Sequence, residues 1–317
     1  MRDLIVALSA TDRTQAIFAG KVVLRGFRLV PVEYPVEEIF ARQATYPVFD
    51  VAEFSLGSYL LLRGKGDDRY VALPVFLSRS FRHGSLYVRR ESPITRLADL
   101  AGVRIGFPEF QMTAAVWVRG LIRDEAGRDK ENTWVTYRPE RVPVAVPVVR
   151  GKADDVLQGL LEGEVDVAMS VRRPPPEFLS RDGSAGRIRR LLPDPWGEER
   201  RYYERTGIFP IMHLVVVRRE LVEHHPELPQ LLYEAFLSAK IEGQRRLAET
   251  VVLQAMLPWL TEAVEAHHRT FGDDPWPYGV RRNWATVERF QQYLKEDGLL
   301  REVLPPEAVF AASTLDT

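Results

Sequence analysis

Short apolar runs, each closed by a polar or glycine-rich turn, recur along the chain. Residues 4–8 (LIVAL) are uninterrupted apolar positions that give way to Ser9, Ala10, Thr11, Asp12, Arg13 and Thr14. That pattern predicts a strand buried on both faces with a polar end. A second β region covers 22–32 and leads into a helical pattern, VEEIFARQ, at 36–43. Residues 49–54 read as a strand that ends in 55–58, before an apolar helix at 59–64. The strand 70–76 ends in the polar stretch 77–83, and 85–88 is one more short strand. Strands alternating with helices predict an α/β protein with a largely parallel sheet.

A second unit starts near Ile94. A short helix at 95–102 is closed by Gly102, and the strand 103–106 stops at Gly106, Phe107 and Pro108. From Thr113 apolar residues recur at helix spacing, with Thr113 as the predicted N-cap. A strand feeding a helix in this way aims the backbone N–H groups of Met112 to Ala115 at whatever lies above the strand. Glu109, Gln111 and Thr113 would ring that point. The helix dipole adds about 0.3–1 kcal/mol for an exposed anion there.

The amphipathic helix 153–163 has a glycine stop and leads into the strand 165–170. VDVAMS in that strand echoes FDVAEFS at 49–55. We read the echo as a weak internal repeat, with two lobes presenting strand ends to a shared cleft. After 172–176 the composition turns irregular and basic, until 214–217 forms an apolar strand returning to the first lobe. Helices are predicted at 226–247, 251–268 and 283–296. The expected division is lobe one at 1–93 and 207–317, with lobe two, 94–206, inserted.

Composition narrows the chemistry. The 317 residues carry 43 basic and 44 acidic side chains, so bulk charge points to neither nucleic acid nor an anionic membrane. Only six of the basic residues are lysine, and the arginines supply many planar forks suited to carboxylates. With no cysteine, disulfides, thiolate nucleophiles and Cys-ligated zinc are excluded. The first residues lack the pattern of an export signal, and no run approaches the ~18 apolar residues of a membrane span. The expectation is a cytoplasmic protein. No HExxH, His-x-His, phosphate-loop or dinucleotide glycine pattern is present, so no cofactor is expected, and a metal would need a Glu/His site assembled across the cleft.

Two stretches, LADLAGVRIGFP (97–108) and ADDVLQGLLEGEVDVAM (153–169), resemble the type II periplasmic-binding-protein fold. Five more are FDVAEFSLGSYL (49–60), LPVFLSRSFRH (73–83), GFPEFQMTAAVWVRG (106–120), YERTGIFPIMH (203–213) and GDDPWPYG (272–279). Together they resemble the 4,5-dihydroxyphthalate decarboxylase family over nearly the whole chain. The resemblance implies a two-lobe fold with the ligand between the lobes. It also implies loss of CO2 from an aromatic ortho-dicarboxylate bearing two hydroxyls, with a small-molecule diacid as the partner.

Such a reaction needs a proton donor for the ring carbon, an acceptor for a ring hydroxyl, a clamp on the retained carboxylate and a dry place for the departing one. His83 and His213 follow or precede strand ends and titrate near working pH, so they are the candidates for proton transfer. Arg13, Arg79 and Arg82 are candidate carboxylate clamps, and Arg172 could close over the ligand. Asp12, Glu53 and Glu109 sit near strand ends and could accept from a hydroxyl or neutralise a neighbouring arginine; Glu109 is also taken as a catalytic candidate. Ser55, Ser58, Gln111, Met112 and Thr113 complete the expected binding set, and Gly57 is read as widening one wall. A solute-binding protein for an aromatic carboxylate, or another lyase on the same scaffold, suits these residues as well. Whether the chain forms a homo-oligomer is left open.

Overall fold

The computed structural model describes residues 1–127, 131–179 and 186–317. The first four strands are β1 (Arg2–Leu8), β2 (Phe27–Glu33), β3 (Val51–Ser55) and β4 (Tyr70–Arg79). Six more follow: β5 (Leu86–Arg89), β6 (Arg104–Phe107), β7 (Thr133–Thr136), β8 (Val149–Arg150), β9 (Val167–Met169) and β10 (Ile188–Arg190). The last is β11 (Ile211–Arg218). One sheet has the order β2-β1-β3-β11-β4 and the other β10-β5-β9-β6-β7-β8. In each, the inner strands pair in parallel and a strand from elsewhere in the chain joins antiparallel: β11 beside β3, and β5 beside β9.

β3 shows why the sequence builds this fold. All five of its residues are buried, as expected for a strand covered on both faces. Its polar residues, Glu53 and Ser55, are therefore placed inside the protein, where each needs a partner. Helix Leu56–Gly64 follows without a loop, capped by the Ser55 side chain.

The chain crosses to the second sheet earlier than expected. Leu86 pairs with Met169 and Ile188 with Arg89, so the crossing falls between Arg79 and Leu86 rather than near residue 93. A four-residue apolar strand carries no mark of which sheet it will join. The expected helix 95–102 is a single tight turn, Leu97–Asp99. Helix 251–268 begins only at Leu260. Strands β7, β8 and β10 and the helix Pro195–Thr206 lie in stretches read as irregular or not assigned.

The two sheets share one continuous core. Helix Thr113–Ala126, attached to the second sheet, buries ten successive residues from Thr113 to Ile122. Trp117 donates its indole N–H to the Ile211 carbonyl at 2.9 Å and packs on Phe290 and Tyr293. Helix Trp284–Glu296, expected with lobe one, thus lies against a helix of lobe two. Gly120 makes the approach feasible, because a Cβ there would strike the Tyr293 ring. Arg119 is fully buried and meets Asp297 at 2.6 Å, with its guanidinium 3.6 Å from the Phe110 ring centroid.

A second seam joins the helix starts. Thr113 does not cap its own helix; Met112 holds that position without a side-chain bond. The Thr113 hydroxyl instead accepts from the Gly57 N–H at 2.9 Å and lies 2.9 Å from Ser55 Oγ. Ser58 donates to Gln111 at 2.8 Å. A Cβ on Gly57 would stand 2.9 Å from the Gln111 carbonyl oxygen, so this glycine permits close approach of the lobes and does not widen a wall.

Gly57→Ala should therefore destabilise the fold by about 1–3 kcal/mol, since the clash is with backbone and cannot be relieved by a rotamer change. Asp297→Ala should cost about 3–5 kcal/mol by leaving Arg119 buried and unpaired. Denaturant unfolding of each variant checks both; an unchanged midpoint would contradict the packing described.

Candidate functional site

The strand β11 brings the key side chain into place. His213 lies opposite Ser55 of β3, and Val215 opposite Glu53. On the other edge the register slips: Val215 faces Leu73 but His213 faces Ser78. Such an irregularity re-aims side chains at a sheet end. His213 Nδ1 lies 2.6 Å from Glu53 Oε1, and the other carboxylate oxygen accepts from the Ser9 N–H at 3.0 Å.

Glu53 is 2% exposed. Burial alone would raise its pKa, but the bonds from His213 and Ser9 outweigh burial and hold it below the usual carboxylate value. A bond to an ionised carboxylate puts a hydrogen on Nδ1 and leaves Nε2 as the group available to the cavity. The Phe40 ring edge, 4.7 Å between centroids, fixes the imidazole plane.

His213 forms part of the wall of a cavity of about 420 Å³ between the ends of the two sheets, within the size range of small-molecule sites. Arg82 lies beside it, its Nε 3.3 Å from Met212 Sδ. Burial lowers the Arg82 pKa to about 10, so it stays charged at neutral pH, and it makes no ion pair among the described residues. Arg141 pairs with Glu109 at 3.1 Å and Arg172 with Glu37 at 2.7 Å. Arg138 and Arg173 line the cavity too. Asp155 caps its own helix by accepting from Leu157 and Gln158. Five arginines against Glu37, Glu109 and Asp155 leave the lining with a formal charge of +2. Thr113 and Ala114, at the uncapped start of their helix, face the same space.

Of the residues expected from sequence, Ser55, Arg82, Glu109, Met112, Thr113, Arg172 and His213 line this cavity, with Glu53 directly behind His213. Glu109 is not a free acid: Gln111 and Arg141 both donate to it. Ser58 and Gln111 hold the seam between the helix starts and do not reach the cavity. Asp12 and Arg13 line a different cavity, with Trp276 and Lys240. Arg13 donates to the Leu77 carbonyl at 2.6 Å and stacks 4.4 Å over Trp276.

Arg79 is a brace. It donates to the carbonyls of Phe209 and Pro277 and to Asn283. His83 is buried between Phe81 and Tyr202 with no partner on Nδ1. Burial depresses its pKa to about 4, so it is a neutral packing residue outside the cavity.

The residues that sequence reasoning missed are Glu37, Phe40, Arg138, Arg141 and Met212. Arg138 and Arg141 follow the end of β7, in the run YRPER at 137–141; recognising that strand would have placed them at the cleft. Among the described residues no group of His, Asp and Glu could hold a metal ion.

Residues 40–271 match the family model for the periplasmic substrate-binding protein of a phosphonate ABC transporter. The E. coli periplasmic aliphatic sulphonate binding protein SsuA superposes with a TM-score of 0.57 at 15% identity, over 98% of this chain and 92% of that one. A 4,5-dihydroxyphthalate decarboxylase from Comamonas testosteroni is 34% identical over 99% of this chain and 98% of its own length. One of the same name from Pseudomonas putida is 35% identical over 54% of this chain and 71% of its own. On a periplasmic-binding-protein fold, therefore, the chain belongs to the 4,5-dihydroxyphthalate decarboxylase family, enzymes of the carboxy-lyase class.

Proposed function

We propose that this protein converts 4,5-dihydroxyphthalate, or a close aromatic dicarboxylate, to the mono-acid 3,4-dihydroxybenzoate and CO2. The observation that carries the reading is the His213–Glu53 pair, set in the wall of a cleft whose lining is positive by two charges. That charge matches a doubly ionised substrate. Arg82, with no carboxylate of its own, is the fork for the retained carboxylate, and such a charged bond contributes roughly 1.5–3 kcal/mol.

In this reading His213, protonated and backed by Glu53, delivers its Nε2 proton to the ring carbon that bears the departing carboxylate. The hydroxyl para to that carbon delocalises the positive charge. The carbon–carboxylate bond then breaks, its electron pair restores the aromatic ring, and CO2 leaves. One proton is consumed per turnover, so His213 is reprotonated from solvent. Glu53 stays ionised throughout and stabilises the imidazolium, as a buried carboxylate partner does. Phe40, Met212 and Pro108 provide the apolar wall that favours loss of charge from the departing carboxylate.

Incubating the protein with 4,5-dihydroxyphthalate and following CO2 and the mono-acid decides the matter; tight binding of the diacid without turnover would replace this reading with a receptor. His213→Ala should lower kcat by about 10²–10⁴ in a protein that still folds, with some loss of stability because Glu53 keeps only the Ser9 amide, whereas His83→Ala should keep kcat and lose stability. Arg82→Lys should raise KM at least tenfold in steady-state kinetics, since a point charge does not replace a fork.

The depressed pKa of His83 also fixes a sign. Between pH 6.5 and about 4 the unfolded chain takes up a proton that the folded chain refuses, so stability falls as the pH drops through that window. Thermal unfolding across that range should show the loss, and His83→Phe should flatten it.

A further inference from the structure

A recess of about 640 Å³ opens beside the cleft, walled by the turn after β4, the 170–173 stretch, Arg190 of β10 and helix Pro195–Thr206. Arg79, Arg82, Arg172, Arg173 and Arg190 line it, against a single carboxylate, Glu199. Arg82, Arg172 and Arg173 belong to the cleft wall as well, so the two spaces are neighbours.

Two of these cations are poorly compensated. Arg79 is 6% exposed, and its nearest acceptors are carbonyl and amide oxygens, which carry no net charge. Its Nε has no partner at all. Arg82 is half-buried, and the Met212 sulfur is the one hydrogen-bond partner of its guanidinium among the described residues. At the rim, Arg173 and Arg190 make no ion pair among the described residues. A buried guanidinium normally meets a counter-charge in direct contact, and here neither Arg79 nor Arg82 has a carboxylate in direct contact among the described residues. Glu199 is a partial offset: its carboxylate accepts from the Gly84 N–H at 3.3 Å and acts on Arg82 through space.

We propose that this recess is a second anion site, for a small doubly charged oxyanion held by the guanidinium forks of Arg82 and Arg190, with the buried charge of Arg79 behind them. Planar forks bind carboxylate and sulfate alike in bidentate fashion. A pocket lined by one sign of charge also concentrates such ions from solution. If the function proposed above holds, the incoming dicarboxylate is one occupant, captured here before it passes Arg82 into the cleft. The anion site itself does not depend on that reading.

The test uses the full chain, with inorganic sulfate and unhydroxylated phthalate as probes in calorimetry at low ionic strength. Sulfate should bind the parent protein, at least fivefold more weakly in Arg190→Gln, and at least threefold more tightly in Glu199→Gln. Opposite signs from two neighbours distinguish charge recognition from structural damage, which would weaken binding in both. Displacement of sulfate by phthalate identifies the dicarboxylate as an occupant; sulfate binding that phthalate leaves untouched assigns the recess to inorganic anions. In turnover assays sulfate should raise the apparent KM and leave kcat alone, and Arg190→Gln should reduce that effect. Sulfate affinity that is absent, or equal in all three proteins, overturns the proposal even if decarboxylation is observed. Charge-dependent sulfate binding with no turnover of any dicarboxylate would leave the site standing and remove the function.

Discussion

A single hydroxyl, that of Thr113, sets how close the two lobes stand. It accepts the Gly57 amide and touches Ser55, so the first turns of two helices from different sheets are fixed nose to nose. Ser55 in turn lies opposite His213 in the sheet. One residue therefore separates the junction of the lobes from the His213–Glu53 pair, and the floor of the cavity is continuous with the buried seam beneath it. Thr113 could not do this while capping its own helix, which explains why that helix begins without a side-chain cap. Its first amides are left facing the cavity, where they favour negative charge.

Charge within the cleft is divided by prior engagement. Glu109 is taken up by Arg141, Glu37 by Arg172 and Asp155 by the start of its own helix. Without an ion pair among the described residues are the far nitrogen of His213 and the guanidiniums of Arg82, Arg138 and Arg173. In the proposed reading His213 supplies the proton and Arg82 holds the carboxylate that stays. Glu53 can remain ionised in the core only because two donors reach it; without them burial would neutralise it and His213 would lose its orientation.

Much of the fold was readable from apolar runs. The stretches 4–8, 49–54 and 70–76 fall on β1, β3 and β4, because strands inside the sheet are mostly apolar, Glu53 being the exception that marks the site. What was not readable has definite causes. β8 is two residues long, and helix Pro195–Thr206 buries only Tyr202, so neither shows a hydrophobic period. That helix still carried end signals, Asp194 with Pro195 at its start and Gly207 at its close. At the site, His213 and Glu53 were each identifiable, but their pairing was not, since 160 positions separate them and strand register alone joins them. His83 looked equivalent to His213 in sequence. The burial against Phe81 and Tyr202 that sets it apart involves a helix more than a hundred residues away.

The two lobes contribute different things to the cavity. His213, Glu53 and Phe40 belong to elements around the first sheet, whereas Arg138, Arg141, Arg172 and Arg173 sit in connections around the second. In the proposed reading, proton delivery and much of the positive charge that recognises the acid are thus encoded in separate stretches of gene, with Arg82 at the crossing between them. Drift in the loops at 137–141 and 170–175 could retune which acid is accepted while the hydrogen donor stays intact, giving this scaffold a route to new substrates that does not pass through an inactive ancestor.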